Sequence, residues 1–161
     1  MKRAKWLVLV GATVGLVLVA GAPVAQSHCQ IPCGIYGDDA RFEELAEHIR
    51  TIEKSMAQIQ ELSAAAKPNY NQLVRWVVNK EAHADKLTEI VTYYFMAQRV
   101  KPADASDKAA HAKYVEKVTM LHRMVVAAMK AKQTTDARHV KDLRKLLGAF
   151  AHAYGSKWHE H

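Results

Sequence analysis

The chain has 161 residues, half of them hydrophobic and 24% charged, with 23 basic against 16 acidic side chains and a net charge of +7. Three of the basic residues lie in the first 27 positions, so the 134 that follow carry 20 against 16, a net +4. That length suits one core rather than two. The mild positive excess is scattered among acids without interleaved aromatics, which argues against nucleic-acid binding.

Lys2, Arg3 and Lys5 precede an apolar run from Trp6 to Gly21, and Ala22-Pro23-Val24-Ala25-Gln26-Ser27 follows it. This is the order of a cleavable export signal. The run is 16 residues, short of the roughly 20 that span a bilayer, so no stable membrane anchor is expected after cleavage. Small residues at Ala25 and Ser27 suit a signal peptidase, while His28 disfavours lipid modification of Cys29. No adjacent arginine pair calls for export of a folded protein. The expected organisation is a signal over 1–27 and one domain over 28–161, exported to the periplasm or the extracellular space.

Cleavage after Ser27 would start the mature chain at His28-Cys29-Gln30-Ile31-Pro32-Cys33-Gly34-Ile35-Tyr36. A free amine, an imidazole and a thiol then sit on two consecutive residues, and Cys33 adds the second of the two thiols in the chain. An exported protein with two cysteines invites a disulfide reading. The other reading is metal binding, because a bridge closing so small a loop constrains the unfolded chain little, whereas these donors are dense in nitrogen and sulfur. Amine, backbone amide and two thiolates can form a four-coordinate plane, which suits Ni(II) or Cu(II) better than tetrahedral zinc. Anionic donors of this strength lower the potential of a higher oxidation state. His28 can approach along the axis of such a plane.

Beyond the motif, punctuation divides the chain into four helical segments without strand-like alternation. Asp38 or Asp39 can cap the first, whose stripe is Phe42, Leu45, Ile49, Ile52, Met56, Ile59 and Leu62. Lys67-Pro68-Asn69 ends it. The second runs from about Asn71 with Leu73, Val77, Ala84, Leu87, Val91 and Tyr94, and stops before Pro102. Asp104 to Ser106 can cap the third, striped by Val115, Val118, Leu121, Val125 and Ala128, with Met120, Met124 and Met129 as filler. Thr134-Thr135-Asp136 can cap the fourth, with Val140, Leu143, Leu147, Phe150 and Tyr154, ended near Gly155. Short connections imply an all-α, up-down-up-down antiparallel four-helix bundle. His48, His111, His122, His139 and His152 are dispersed on helices and suit polar faces or bundle contacts, and Trp158-His159-Glu160-His161 reads as a frayed end.

The pattern His28-Cys29-x-x-Pro32-Cys33-Gly34-x-Tyr36 resembles the hook of the nickel superoxide dismutases. Ala40-Arg41-Phe42-Glu43 is similar to the family's segment after the hook, and Tyr94-Phe95 to its Tyr-Phe pair. The resemblance implies a homohexamer of four-helix subunits, each holding one nickel ion in an N-terminal hook, residues 28–36. It implies dismutation, in which two superoxide ions and two protons give O2 and hydrogen peroxide while nickel alternates between Ni(III) and Ni(II). By the same carry-over His28, Cys29 and Cys33 are the metal ligands, His28 through its amine and its axial imidazole. Pro32 and Gly34 shape the hook, and Tyr36 holds the small oxygen species by hydrogen bonding, with packing against the bundle as its other role. The family's Glu and Arg that orient the axial imidazole correspond to Glu43 and His83. The sequence departs from the family by Gln30 where Asp is common, by one residue fewer between hook and helix, and by histidine at position 83, where a solvent-facing helical residue is the plainer reading. Two other classes fit the same residues. One is a non-catalytic copper or nickel carrier, the other a disulfide-stapled helical interaction protein.

Overall fold

The computed structural model describes residues 37–159. Among them are four α-helices and no strand: α1 (Asp38–Ala64), α2 (Tyr70–Glu89), α3 (Lys108–Gln133) and α4 (Arg138–Tyr154), with α2 running on unbroken into a π-helical segment, Ile90–Arg99. The expected bundle is the one observed. Each helix packs against its neighbours in the order α1, α2, α3, α4 and back to α1, which makes the chain a closed antiparallel ring. Three cross-helix contacts show the register of the first pair. Tyr94 reaches Asp38, His83 meets His48, and Asn79 meets Ser55, so α2 retreats as α1 advances.

The stripes converge on one core. Phe42, Leu45, Ile49 and Ile52 of α1 are buried with Leu87, Val91 and Phe95, with Leu121, Met124 and Ala128, and with Val140, Leu143, Leu147 and Phe150. Ile59, Leu62 and Leu73 are only half-buried outside it, and two stripe positions are exposed. Val77 and Val115 are exposed, as is Met129. For Val77 the reason lies in how α2 meets α3. The buried Lys80 ammonium donates to the carbonyls of Ala131, Lys132 and Thr134 at 2.9, 2.6 and 3.0 Å, capping the end of α3. The turns of α2 before Lys80 therefore project past α3 and leave Tyr70, Val74, Val77 and Val78 uncovered.

Helix starts differ from the expected caps by small shifts. Gly37 precedes α1 without a side-chain cap, and Asp38 and Asp39 lie inside the first turn, because Asp38 is held by three other side chains. Asp107 rather than Asp104 to Ser106 caps α3, accepting from the Ala110 amide at 3.0 Å. Asp104 instead closes a local turn on Ser106. Asn69 caps α2 through the Gln72 amide. Ala137 precedes α4 with no side-chain cap, while Asp136 accepts from the Arg138 amide. Gly155 ends α4 in the left-handed region at φ 84°, and the Gly155 and Ser156 amides return to Ala151 O, a turn that glycine makes without strain.

Candidate metal centre at the N-terminal end of the bundle

The hook residues His28, Cys29, Pro32, Cys33, Gly34 and Tyr36 lie outside the described residues, as does the export segment. What the structure describes is the platform on which residue 37 enters the bundle. Asp38, the first residue of α1, accepts from Tyr94 Oη at 2.6 Å on one oxygen, and from Arg99 Nη2 at 2.6 Å and Tyr154 Oη at 2.8 Å on the other. Arg99 Nε also donates to Tyr154 Oη at 3.3 Å. One carboxylate thus ties together α1, the π-helical segment and α4.

The π-helical segment makes this possible. In an α-helix, Tyr94 and Arg99 would point about 140° apart. Bonding from residue i to i−5, as in Val100 N to Phe95 O at 2.8 Å, stacks residues five apart, so both side chains reach Asp38. The guanidinium carbons of Arg41 and Arg99 lie 6.0 and 5.9 Å from the Tyr94 ring centre, within cation–π range.

Electrostatically the platform is locked. Burial raises the Asp38 carboxyl, but the hydrogen bonds from Arg99, Tyr94 and Tyr154 outweigh it and hold the group below its ordinary value. Burial and the Asp38 hydrogen bond push Tyr94 up to about 12, and the bonds to Asp38 and Tyr154 raise Arg99. None of these groups changes charge near neutrality, so the platform positions the chain entering the bundle rather than exchanging protons.

An aromatic layer lies beneath. Phe42 meets Phe95, Phe150 and Tyr154 at ring-centre separations of 5.0, 5.7 and 5.7 Å, and Trp158 stacks on Phe42 at 6.0 Å and 19°. Trp158 Nε1 donates to Glu43 Oε2 at 3.0 Å while Arg50 Nη2 donates to Oε1 at 2.8 Å. The C-terminal segment through Trp158 is therefore docked rather than frayed, returned to α1 by the Gly155 turn. Glu160 and His161 lie outside the described residues.

The structure does not bring Glu43 and His83 together. Glu43 is held by Trp158 and Arg50, whereas His83 Nδ1 lies 3.0 Å from His48 Nδ1, the rings edge-on at 76°. His83 is half-buried and so is not a plain solvent-facing residue, and His48 is buried. His48 Nε2 has no partner among the described residues, so its proton belongs on Nδ1, donated to His83, because an orphaned buried N–H is the costlier arrangement. Both imidazoles have lowered pKa values, through burial first and then the partner ring for His48 and Lys86 for His83. The pair is neutral. No motif spacing marks His48, Arg99 or Trp158; at this end of the bundle the resemblance marks Arg41, Phe42, Glu43, Tyr94 and Phe95, while Tyr154 is marked only as a stripe position and Asp38 only as a candidate cap.

A family model described as nickel-containing superoxide dismutase matches residues 23–157. The chain belongs to that family. No match is found among curated proteins or among solved structures. As a nickel-containing superoxide dismutase the chain is an oxidoreductase acting on superoxide with nickel as its cofactor, and neither a metal carrier nor a stapled interaction protein gains support. The donor chemistry fits that metal. Among the described residues no group of three or more His, Cys, Asp or Glu is placed to hold an ion; the matched range includes residues 28–36, which carry both cysteines of the chain, and nitrogen and sulfur donors of this kind suit nickel.

Proposed function

We propose that the chain is exported, that cleavage after Ser27 frees the His28 amine, and that the mature protein dismutates superoxide at a nickel ion held by His28, Cys29 and Cys33. The observation that carries this reading is the motif His28-Cys29-x-x-Pro32-Cys33-Gly34-x-Tyr36 inside the family match. Nickel supplies one-electron exchange with superoxide when bound. The chain's own residues do the rest. Cys29 provides a thiolate and its amide nitrogen, Cys33 the second thiolate, and His28 its amine and imidazole. Pro32 and Gly34 set the turn of the hook, and Tyr36 hydrogen-bonds the oxygen species. Glu43, exposed on α1 and bonded to Trp158 and Arg50, keeps its place as the orienting carboxylate. His83 is given that role only by its alignment, since its partner among the described residues is His48.

The signal over 1–27, the domain over 28–161, export to the periplasm or beyond and the absence of an anchor after cleavage belong to the same proposal. No helix among the described residues is long and apolar enough to cross a membrane. Assembly as a homohexamer is supported by the uncovered stripe Tyr70, Val74 and Val78, 70%, 59% and 60% exposed, since contiguous apolar faces of this kind mark interfaces.

The test is nickel content, N-terminal mass and superoxide decay on one preparation. One nickel per chain, a start at His28 and catalytic decay are expected. A variant retaining one extra residue before His28 should keep its helices and lose most activity. Full activity with the extension confirmed by mass would overturn the terminal ligand set.

A further inference from the structure

Where α2 closes on α1, an open cleft of about 420 Å³ lies between them, lined by Thr51 and Lys54 of α1 and by Gln72, Arg75, Trp76 and Asn79 of α2. That volume falls within the roughly 300–1,000 Å³ of small-molecule sites. The cleft is distinct from the uncovered apolar face. Tyr70, Val74 and Val78 each lie two residues from Gln72 or Trp76, about 200° round the helix, so the two surfaces look in opposite directions.

The back wall of the cleft is pinned. Asn79 Nδ2 donates to Ser55 Oγ at 3.0 Å, Ser55 Oγ to the Thr51 carbonyl at 2.8 Å, and Thr51 Oγ1 to the Glu47 carbonyl at 2.9 Å. The rim is not engaged: the Lys54 ammonium, the Arg75 guanidinium, the Gln72 side-chain amide and the Trp76 indole N–H make no hydrogen bond or ion pair among the described residues. No carboxylate lines the cleft. Helix α2 has no acid before Glu81, which meets Lys132 at 3.4 Å, and Glu53, next to Lys54, is taken by Arg144 at 2.8 Å. Two cations from different helices thus face one space without a counter-charge, beside a half-buried indole. A guanidinium presents a planar fork that fits a carboxylate through two parallel bonds, an ammonium adds a point charge, and an indole offers a flat apolar surface. An inorganic oxyanion would use the first two and leave the third wet. An aromatic acid uses all three.

We infer that this cleft binds a small aromatic carboxylate, with its carboxylate on Arg75 and Lys54 and its ring against Trp76, independently of nickel. Benzoate is the probe, titrated at fixed ionic strength into the mature protein with and without nickel and followed by calorimetry and tryptophan fluorescence. Saturable binding of one benzoate per chain is expected, equal in the two forms. The fluorescence change should vanish in Trp76→Phe while calorimetric binding persists, because a ring remains. Lys54→Gln/Arg75→Gln should weaken binding at least about tenfold, the weight of a charge-assisted hydrogen bond. Arg75→Lys should weaken it too, since it keeps the charge and loses the fork.

No saturable binding in the millimolar range would overturn the inference outright. Binding that needs nickel, that is unchanged in Lys54→Gln/Arg75→Gln, or whose fluorescence change persists in Trp76→Phe would put the ligand elsewhere and overturn the site. Benzyl alcohol bound as tightly as benzoate would overturn recognition of the charge. Inorganic phosphate displacing benzoate at equal concentration would overturn recognition of the ring. Circular dichroism on each variant checks that the exposed substitutions at Lys54 and Arg75 leave the helices in place.

Discussion

At the scale of single residues, Asp38 does more for this end of the molecule than a helix cap would. Its carboxylate takes three hydrogen bonds, from Tyr94, Arg99 and Tyr154. Asp38→Asn keeps the shape but removes the charge and turns one acceptor into a donor. A loss of about 2 kcal/mol is expected at neutral pH, since hydrogen bonds to charged groups are among the stronger ones. The folded pKa of Asp38 is lowered, so its contribution is fully present above the unfolded value near 4 and is lost as pH falls through the folded one. Denaturation midpoints of wild type and variant should therefore converge in acid. A gap that persists in acid would show that the charge is not the cause.

At the scale of elements, two buried polar contacts hold the pairs of helices in register. Lys80 places its three N–H donors on three carbonyls at the end of α3, where the helix carries partial negative charge. Lys80→Met should cost about 1–3 kcal/mol while leaving far-ultraviolet helicity intact, read by urea denaturation. The His48–His83 contact joins α1 to α2. Both folded pKa values are lowered, so the stability of the neutral pair is complete above about 6.5 and is lost as pH falls through the lower folded values. A second proton has no place between the two Nδ1 atoms. Wild type should lose stability from about pH 7 to about pH 5, and His48→Leu should remove most of that slope. A slope unchanged in His48→Leu would place its origin elsewhere.

At the scale of the whole molecule, the first turns of α2 stand clear of α3. Tyr70, Val74 and Val78 recur at four-residue spacing on that free face. If the face joins copies of the chain, Val74→Asp with Val78→Asp should lower the assembled mass seen by light scattering while circular dichroism stays helical. Burying unpaired carboxylates at an interface is costly. An unchanged assembled mass would remove this face from the interface.

The bundle was legible in the sequence because its stripes follow the helical period, and Phe42, Leu45, Ile49, Leu121, Leu143 and Phe150 all proved buried. The family was legible too, because the short motif from His28 to Tyr36 specifies a donor set by residue type alone, and the match over 23–157 agrees with it. The contacts that build the platform were not. Asp38 and Tyr154 are 116 residues apart, and only the closed ring of helices brings them together. Nor does periodicity announce a π-helical segment, which shows itself once bonding to i−5 carries Tyr94 and Arg99 to one carboxylate. Composition and period determine which faces are apolar; which polar side chains meet across them depends on helix ends, register and the turn at Gly155, and those are decided by tertiary packing.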